Sequence, residues 1–463
     1  MDRRKFVRDG MVSLGSSFVA TNLASRGVLS NRSLPTAPAQ RPHPSKSQLQ
    51  WQRDELAMFL HFGVNTFADR EWGDGTESPS IFAPTQLDAR QWARSARAAG
   101  FRSVILTAKH HDGFCLWPTA TTKHSVVSSP FRGGTGDVVR EMVNACRAEG
   151  LRPGLYLSPW DRNNSHYGNS PRYNDLYCDQ LTELLTRYGK IAEVWFDGAN
   201  GEGPNGKRQQ YDWPRVWGLV RKLQPDAVMF SDAGPDVRWC GNENGSGGET
   251  NWSTVNPTVV TYPGVSGPGV TESLQRGDPN GTAWIPAEAD TSIRPGWFYH
   301  AAEDTKVRSV DNLYDLYFKS VGRNAKLLLN VPPTRAGLLH EVDVANLSGF
   351  RARLDQLRDA AITRGLKGAW HSTGARTAEA TVTFNKPQMI SAFRLAEMIE
   401  QGQSVSRWSL SAANGADSRV ISRGTTIGYA RMEKFAPVLA DRITLAVEDA
   451  VDAPYRVAVT AYA

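Results

Sequence analysis

From residue 51 onward the chain repeats one pattern: a short apolar run, a polar turn, then a stretch whose apolar positions recur at helical spacing. The run 58–63 reads as a first strand. Residues 87–99 place Leu87, Trp92, Ala96 and Ala99 near a helical period, with Gly100 as a stop. Strand 103–107, helix 137–149 before Gly150, strand 151–158, helix 174–188 before Gly189 and strand 191–197 follow. The alternation continues with helix 213–223 and strand 227–231, then breaks in a Gly/Asn/Pro-rich region, 233–281, where 258–262 is a short strand candidate. Strand 284–288, helix 310–323, strand 326–331 and helix 344–363 resume it. Mostly apolar strands joined by helices belong to a parallel sheet covered on both faces, and a series this long closes on itself. The expected fold is an irregular α/β barrel of the (β/α)8 TIM type, lacking one or two helices around 233–281.

Past residue 365 the period changes. Short alternating runs at 378–384, 390–395, 408–412, 425–429, 443–447 and 456–462 predict a C-terminal antiparallel β-sandwich with a structural role. The organisation expected is therefore a leader at 1–47, a barrel domain at 48–364 and a sandwich domain at 365–463.

Charge changes this picture only at the amino terminus. Of 53 Lys and Arg and 47 Asp and Glu, eight and two respectively fall within residues 1–48, so the entire formal charge of +6 resides there. A neutral body offers no electrostatic footprint for nucleic acid or an anionic membrane surface. The leader reads Arg3-Arg4-Lys5-Phe6-Val7, a modestly apolar run at 11–24, and Ala37-Pro38-Ala39 as a small-residue cleavage site. It resembles a twin-arginine export signal, which implies a periplasmic protein with no membrane insertion once the signal is removed. Cys115, Cys146, Cys178 and Cys240 are widely and irregularly spaced, without a Cys-x-x-Cys pair, and are expected to be buried thiols. Oligomeric state is open at this level.

The strand ends carry the candidate chemistry. Asp197 closes the run Ile-Ala-Glu-Val-Trp-Phe-Asp-Gly, at the end of a barrel strand where reacting groups project; an isolated Asp-Gly, by contrast, simply opens a turn. His61 ends the first strand, with Glu71-Trp72 in the next loop. Lys109-His110-His111-Asp112-Gly113-Phe114 follows the second, and Tyr156 precedes Ser158-Pro159-Trp160-Asp161 on the third. Further on come Arg238-Trp239-Cys240-Gly241-Asn242-Glu243, Glu288 and Arg294-Pro295-Gly296-Trp297-Phe298-Tyr299-His300. Imidazoles, carboxylates, an arginine and indoles together suit a sugar, whose hydroxyls need fixed donors and acceptors and whose apolar face packs on aromatic rings. Two acids from different strands would supply glycoside hydrolysis. His61, His110, His111 and Asp112 could instead hold a metal, but adjacent histidines usually diverge and no His-x-x-x-His or cysteine ligand set is present, so neither metal nor cofactor is expected.

His61-Phe62-Gly63, Lys109-His110-His111-Asp112-Gly113-Phe114, Trp195-Phe196-Asp197-Gly198 and Leu328-Leu329-Asn330-Val331 resemble the α-L-fucosidases of glycoside hydrolase family 29, over roughly residues 51–363. The resemblance implies a retaining enzyme acting on fucosylated glycans, with Asp197 as nucleophile and His61, Glu71, Trp72, His110, His111 and Tyr156 lining the fucose pocket. Glu288 and Trp297 fall where further pocket residues occur. Glu243, in a segment resembling the α-1,3/1,4-specific branch, is the first candidate acid/base, with Glu288 and Glu249 as alternatives. A pocket arginine of other members is Ala233 here, and Arg238 is its candidate substitute. Trp297 and Phe59 are candidates for an apolar wall facing the C5 methyl of fucose. A barrel glycosidase of other sugar specificity, a non-catalytic lectin and a metal-dependent hydrolase remain as alternative readings.

Overall fold

The computed structural model describes residues 41–363 and 368–463. The expected export signal, with Arg3, Arg4 and the 37–39 cleavage site, lies outside the described residues.

The chain enters through a helix the hydrophobic pattern does not announce, α1 (Lys46–Arg53), started by a capping box between Ser45 and Gln48. Its Gln48 amide donates to the carbonyls of Asp236 (2.8 Å) and Trp284 (2.6 Å), and its Trp51 indole to Glu193 Oε2 (2.9 Å). Then follow β1 (Leu56–Leu60), α2 (Val64–Ala68), α3 (Ala89–Ala98), β2 (Ser103–Lys109), α4 (Val138–Ala148), β3 (Arg152–Leu157), α5 (Ser170–Arg187), β4 (Glu193–Trp195), α6 (Trp213–Leu223), β5 (Val228–Ser231) and β6 (Val237–Trp239). The barrel region is completed by β7 (Thr254–Val255), α7 (Val270–Arg276), β8 (Ala283–Trp284), β9 (Ala287–Ser292), α8 (Val310–Lys319), β10 (Ala325–Asn330) and α9 (Glu341–Asp359). Eight strands, β1 to β6 with β9 and β10, are parallel to their neighbours and close into a ring, as the alternation predicts.

Local signals set the crossovers. Asp88, Asp137, Asp212 and Ser309 cap α3, α4, α6 and α8 with side-chain acceptors for first-turn N–H groups. Gly100 and Gly150, just past α3 and α4, take left-handed φ values of +92° and +68°. Alternate strand residues then divide between two cores. Ala57, Phe59, Ile105, Tyr156, Trp195, Val228, Phe230, Val237 and Leu328 fill the ring. Leu56, Met58, Leu60, Val104, Leu106, Leu155, Leu157, Val194, Leu327 and Leu329 meet the helices outside it. Burial on both faces is why these strands read as nearly continuous apolar runs.

The irregularity falls where the pattern broke. Only residues 232–236 separate β5 from β6, too few for a helical crossover. The link suffices because β6 pairs with just the last two residues of β5, Phe230 with Val237 and Ser231 with Arg238, so the chain backs up very little. Between β6 and β9 the short α7 and the antiparallel pair β7–β8 replace a full helix. Two strand expectations need correction here. Residues 258–262 form a turn, the local strand being β7; and 284–288 straddles the end of β8 and the start of barrel strand β9.

The carboxyl-terminal region is an antiparallel sheet of β11 (Ala369–Ser372), β12 (Ala378–Glu397), β13 (Val405–Asn414), β14 (Asp417–Gly424), β15 (Arg431–Ala450) and β16 (Val457–Tyr462). The runs at 378–384 and 390–395 are one 20-residue strand, β12. Its pairing with the equally long β15 shifts register between Thr383 and Gln388 and between Ile390 and Ala392, where Pro387 and Pro437 cannot donate to a ladder. Residues 425–429 are a turn, and the mostly exposed, polar β14 carries no apolar alternation by which to find it. This sheet meets the amino-terminal rim of the barrel. Arg394 Nη2 donates to Glu55 Oε1 (2.6 Å) just before β1, and the Tyr429 hydroxyl to the Ala325 carbonyl (2.9 Å) at the start of β10.

Candidate active site

The opposite rim is built by continuing the inward phase of each strand past its end. His61 follows β1, Ser158 follows β3, Asp197 follows β4, and Asn330 ends β10. Asp197 is nearly buried, with 11% of its side chain accessible, so it is reached from the rim alone. Its Oδ1 accepts from the Ala199 N–H (2.7 Å), which makes the turn an Asp-Gly would make anyway. Its Oδ2 instead accepts from the Tyr156 hydroxyl (3.2 Å) and lies 3.9 Å from His111 Nε2.

Hydrogen-bond partners assign the protons on two histidines. The single hydroxyl proton of Ser158 goes to the Trp160 carbonyl (2.6 Å), so its oxygen accepts from His111 Nδ1 (2.7 Å) and leaves Nε2 turned toward Asp197. The Asn330 amide donates to Ser292 Oγ (2.9 Å) and the Trp297 carbonyl (2.8 Å). Its Oδ1 therefore accepts from the His61 N–H (3.2 Å) and from His61 Nδ1 (2.8 Å), so in the neutral ring Nε2 is the accepting nitrogen.

Aromatic rings form the walls. His110 stacks on Tyr156 (centroids 5.8 Å apart, 16° between planes) and meets Phe298 edge-on at 5.0 Å. Half-buried Trp72 sets its edge against His111 (5.7 Å) and Trp160 (5.6 Å), and across the site half-buried Trp297 lies 5.1 Å from His61. Glu71 binds the loop after β9, accepting from the N–H groups of Trp297 (2.7 Å) and Phe298 (3.0 Å). Beside His110, Asp112 is fully enclosed, and burial pushes its carboxyl up to about 7 although the Phe114 N–H donates to it at 2.7 Å. Among the described residues no group of three or more His, Cys, Asp or Glu is placed to hold a metal ion.

Several expected site residues lie elsewhere. Asp161 is turned away from the rim: Oδ2 pairs with buried Lys109 Nζ (3.1 Å) and Oδ1 accepts from the N–H groups of Asn163 and Asn164. Lys109 also donates to Tyr173 Oη (3.2 Å) and Gln180 Oε1 (2.9 Å), fastening β2 to α5. Arg238 faces outward from β6 and spends its donors on Asn251 Oδ1 and on the carbonyls of Leu274, Ile285 and Trp252, so it does not replace a pocket arginine. Glu288 is the second residue of β9, deep in the ring, and accepts from the Trp195 indole (3.0 Å). Burial, reinforced by nearby Glu193, drives its carboxyl far upward. Glu249, an acid/base alternative, pairs with Arg323 and Arg431 at the amino-terminal side of the barrel. Phe59 lies beneath His61 (4.5 Å) at 1% exposure, whereas Trp297, the other wall candidate, is half-buried. Trp160 is also buried, supporting His111 at 5.0 Å while its indole donates to the Glu202 carbonyl (3.0 Å).

Glu243 is half-buried in the turn between Cys240 and Gly245, whose N–H groups bond the Glu288 and Asp290 carbonyls of β9. Ser158 and Asn330 stand in runs visible in the sequence, but their roles in orienting His111 and His61 were not, and Asp290, which accepts from the Trp239 indole (2.7 Å), was not singled out at all. The Leu-Leu-Asn-Val run was visible in the sequence, but the partner of its asparagine, His61, is 269 residues away.

A closed parallel barrel with imidazoles, carboxylates and indoles at its carboxyl rim defines a carbohydrate-active enzyme of the TIM-barrel class. Residues 45–355 match the Alpha-L-fucosidase family. The chain is 43% identical over 443 residues to alpha-L-fucosidase 1 of Arabidopsis thaliana, covering 88% of this chain and 85% of that one. Its structure resembles that of a glycoside hydrolase 29 family member from an unknown rumen bacterium (TM-score 0.84, 40% identity, 91% of this chain and 77% of that one). It also resembles a Ruminococcus gnavus GH29 fucosidase in complex with fucose (TM-score 0.81, 28% identity, 93% and 97%). The chain belongs to the α-L-fucosidase family, glycoside hydrolase family 29.

Proposed function

We propose that this enzyme is a retaining, exo-acting α-L-fucosidase that releases L-fucose from fucosylated glycans with α-1,3 or α-1,4 linkages. The observation that carries the reading is the Asp197 carboxylate at the end of β4, one oxygen held by its turn and the other facing the cleft beside Tyr156 and His111. Asp197 Oδ2 attacks the anomeric carbon while the bond to the departing oxygen breaks and Glu243 gives that oxygen its proton. Glu243 then takes a proton from water, which attacks the same carbon and frees Asp197. His61, His110, His111, Glu71 and Trp72 bind hydroxyls, and Trp297 meets the C5 methyl. The twin-arginine pattern at Arg3-Arg4 supports export to the periplasm.

A 2-fluorofucosyl label that traps the covalent intermediate, followed by peptide mass spectrometry, tests the nucleophile. The adduct is expected on the peptide holding Asp197, and attachment elsewhere overturns the assignment. Asp197→Ala should lower kcat on the order of 10^4-fold. Glu243→Gln should cost on the order of 10^2-fold or more on natural glycans and much less on aryl fucosides, whose leaving groups need no proton. Side-by-side hydrolysis of α-1,2, α-1,3, α-1,4 and α-1,6 fucosides tests linkage. Activity confined to α-1,2 or α-1,6 bonds refutes the linkage assignment alone.

A further inference from the structure

Two loops meet at the carboxyl rim: the segment after α2, which carries Glu71 and Trp72, and the segment after β9, which carries Trp297 and Phe298. Glu71 ties them through the Trp297 and Phe298 N–H groups, and a second side chain, His300, closes over that joint. His300 Nδ1 lies 2.8 Å from Asp69 Oδ1 and its Nε2 lies 2.7 Å from Glu71 Oε1. We propose that His300 is a positioning residue for the fucose pocket, an imidazolium clasp that holds Glu71, Trp72 and Trp297 in place only while both ring nitrogens carry protons.

The geometry demands this charge state. Each nitrogen faces a carboxylate oxygen, which offers no proton while ionised, so both bonds form only if both nitrogens donate; a neutral ring sets a lone pair against one of the two anions. The Glu71 oxygen that receives His300 also accepts from the Phe298 N–H (3.0 Å), while the other accepts from the Trp297 N–H (2.7 Å). Losing the His300 bond therefore loosens the anchor of the Trp297 loop and of neighbouring Trp72 together. The fit is close, since a Cβ at Gly296 would come within 2.5 Å of Glu71 Oε1 and 3.1 Å of His300 Cδ2. The charges facing the ring are Asp69 and Glu71 from the loop after α2 and Glu303 from the turn after β9. Glu303 also accepts from the Gly296 N–H (3.1 Å), and from the loop after β10 Arg335 stands 3.8 Å from Asp69. Burial works against the charge on His300, but the bonds to Asp69 and Glu71 outweigh it and raise its pKa above the usual histidine value.

The inference rests on the fucosidase reading for its substrate, and the test separates the two. NMR titration of His300 in the full-length protein needs no turnover. The wild type should titrate above about 6.5, and Asp69→Asn, which removes one facing charge from an exposed site, should bring it down. KM for 4-nitrophenyl α-L-fucoside between about pH 5.5 and about pH 8.5 should rise as His300 loses its proton, with kcat within about twofold. His300→Phe should raise KM roughly fivefold at the acidic end, and the ratio of its KM to that of the wild type should fall toward one as pH rises through that window. A His300 pKa at or below about 6.5, or a His300→Phe variant keeping the wild-type KM profile, overturns the clasp. Should the wild type hydrolyse no fucoside, the fucosidase reading fails, and the titrations of His300 in wild type and Asp69→Asn still decide the clasp.

Discussion

At the residue scale, the site works by fixing which atoms carry protons. Asn330 reaches His61 Nδ1 with an acceptor, so in the neutral imidazole that nitrogen carries the proton and Nε2 is the accepting one. Asn330→Asp keeps the shape but offers a carboxylate in place of the amide, which favours imidazolium and abolishes that acceptor. The expected result is a fall in kcat/KM on the order of tenfold with circular dichroism unchanged. Asp112 supplies a second residue-scale consequence. Its carboxyl is raised from 3.8 to about 7 by burial, so between those values the native state holds a proton that the unfolded chain has released. Stability from this group is therefore full below the unfolded value and declines as pH rises toward 7. The melting temperature should fall across this window, and Asp112→Asn, which cannot ionise, should flatten that slope in calorimetric scans.

At the element scale, a strand end in a barrel has two sides, and the Lys-His-His-Asp stretch uses both. Lys109, the last residue of β2, turns outward into the Asp161, Tyr173 and Gln180 cluster, while His110 and His111 turn to the rim. The Lys109–Asp161 pair is almost wholly buried, with side-chain exposures of 0% and 3%, so removing one partner strands the other charge. Lys109→Met should cost about 3–5 kcal/mol in denaturant unfolding. Adding Asp161→Asn should restore part of that loss, whereas an Asp161 that touched sugar would give a KM effect that the double variant could not restore.

At the scale of the whole molecule, the antiparallel sheet braces the amino-terminal rim and leaves the reactive rim to the loops. Arg394 reaches Glu55 beside β1, and the Tyr317 hydroxyl donates to the same carboxylate (2.6 Å). Arg394→Met should lower stability by about 1.5–3 kcal/mol, read as a reduced melting temperature, with KM and kcat unchanged because the contact lies at the far end of the strands.

Element order, the closed ring and family membership were legible in the linear chain because they rest on local signals: apolar periodicity, Asp and Ser caps, glycine stops and contiguous runs such as Lys-His-His-Asp-Gly-Phe. The roles of individual polar side chains were not. Arg238 and Asp161 lie close in sequence to strand ends, yet they point to the outer layer. Glu288 points inward but sits too low to meet a ligand. One position along a strand reverses the face, and two positions move a side chain one layer along the barrel axis. Which phase and height a residue takes depends on pairing with strands hundreds of residues distant, and so do the Asn330–His61 and His300–Glu71 contacts. Those partners came together only when the ring closed.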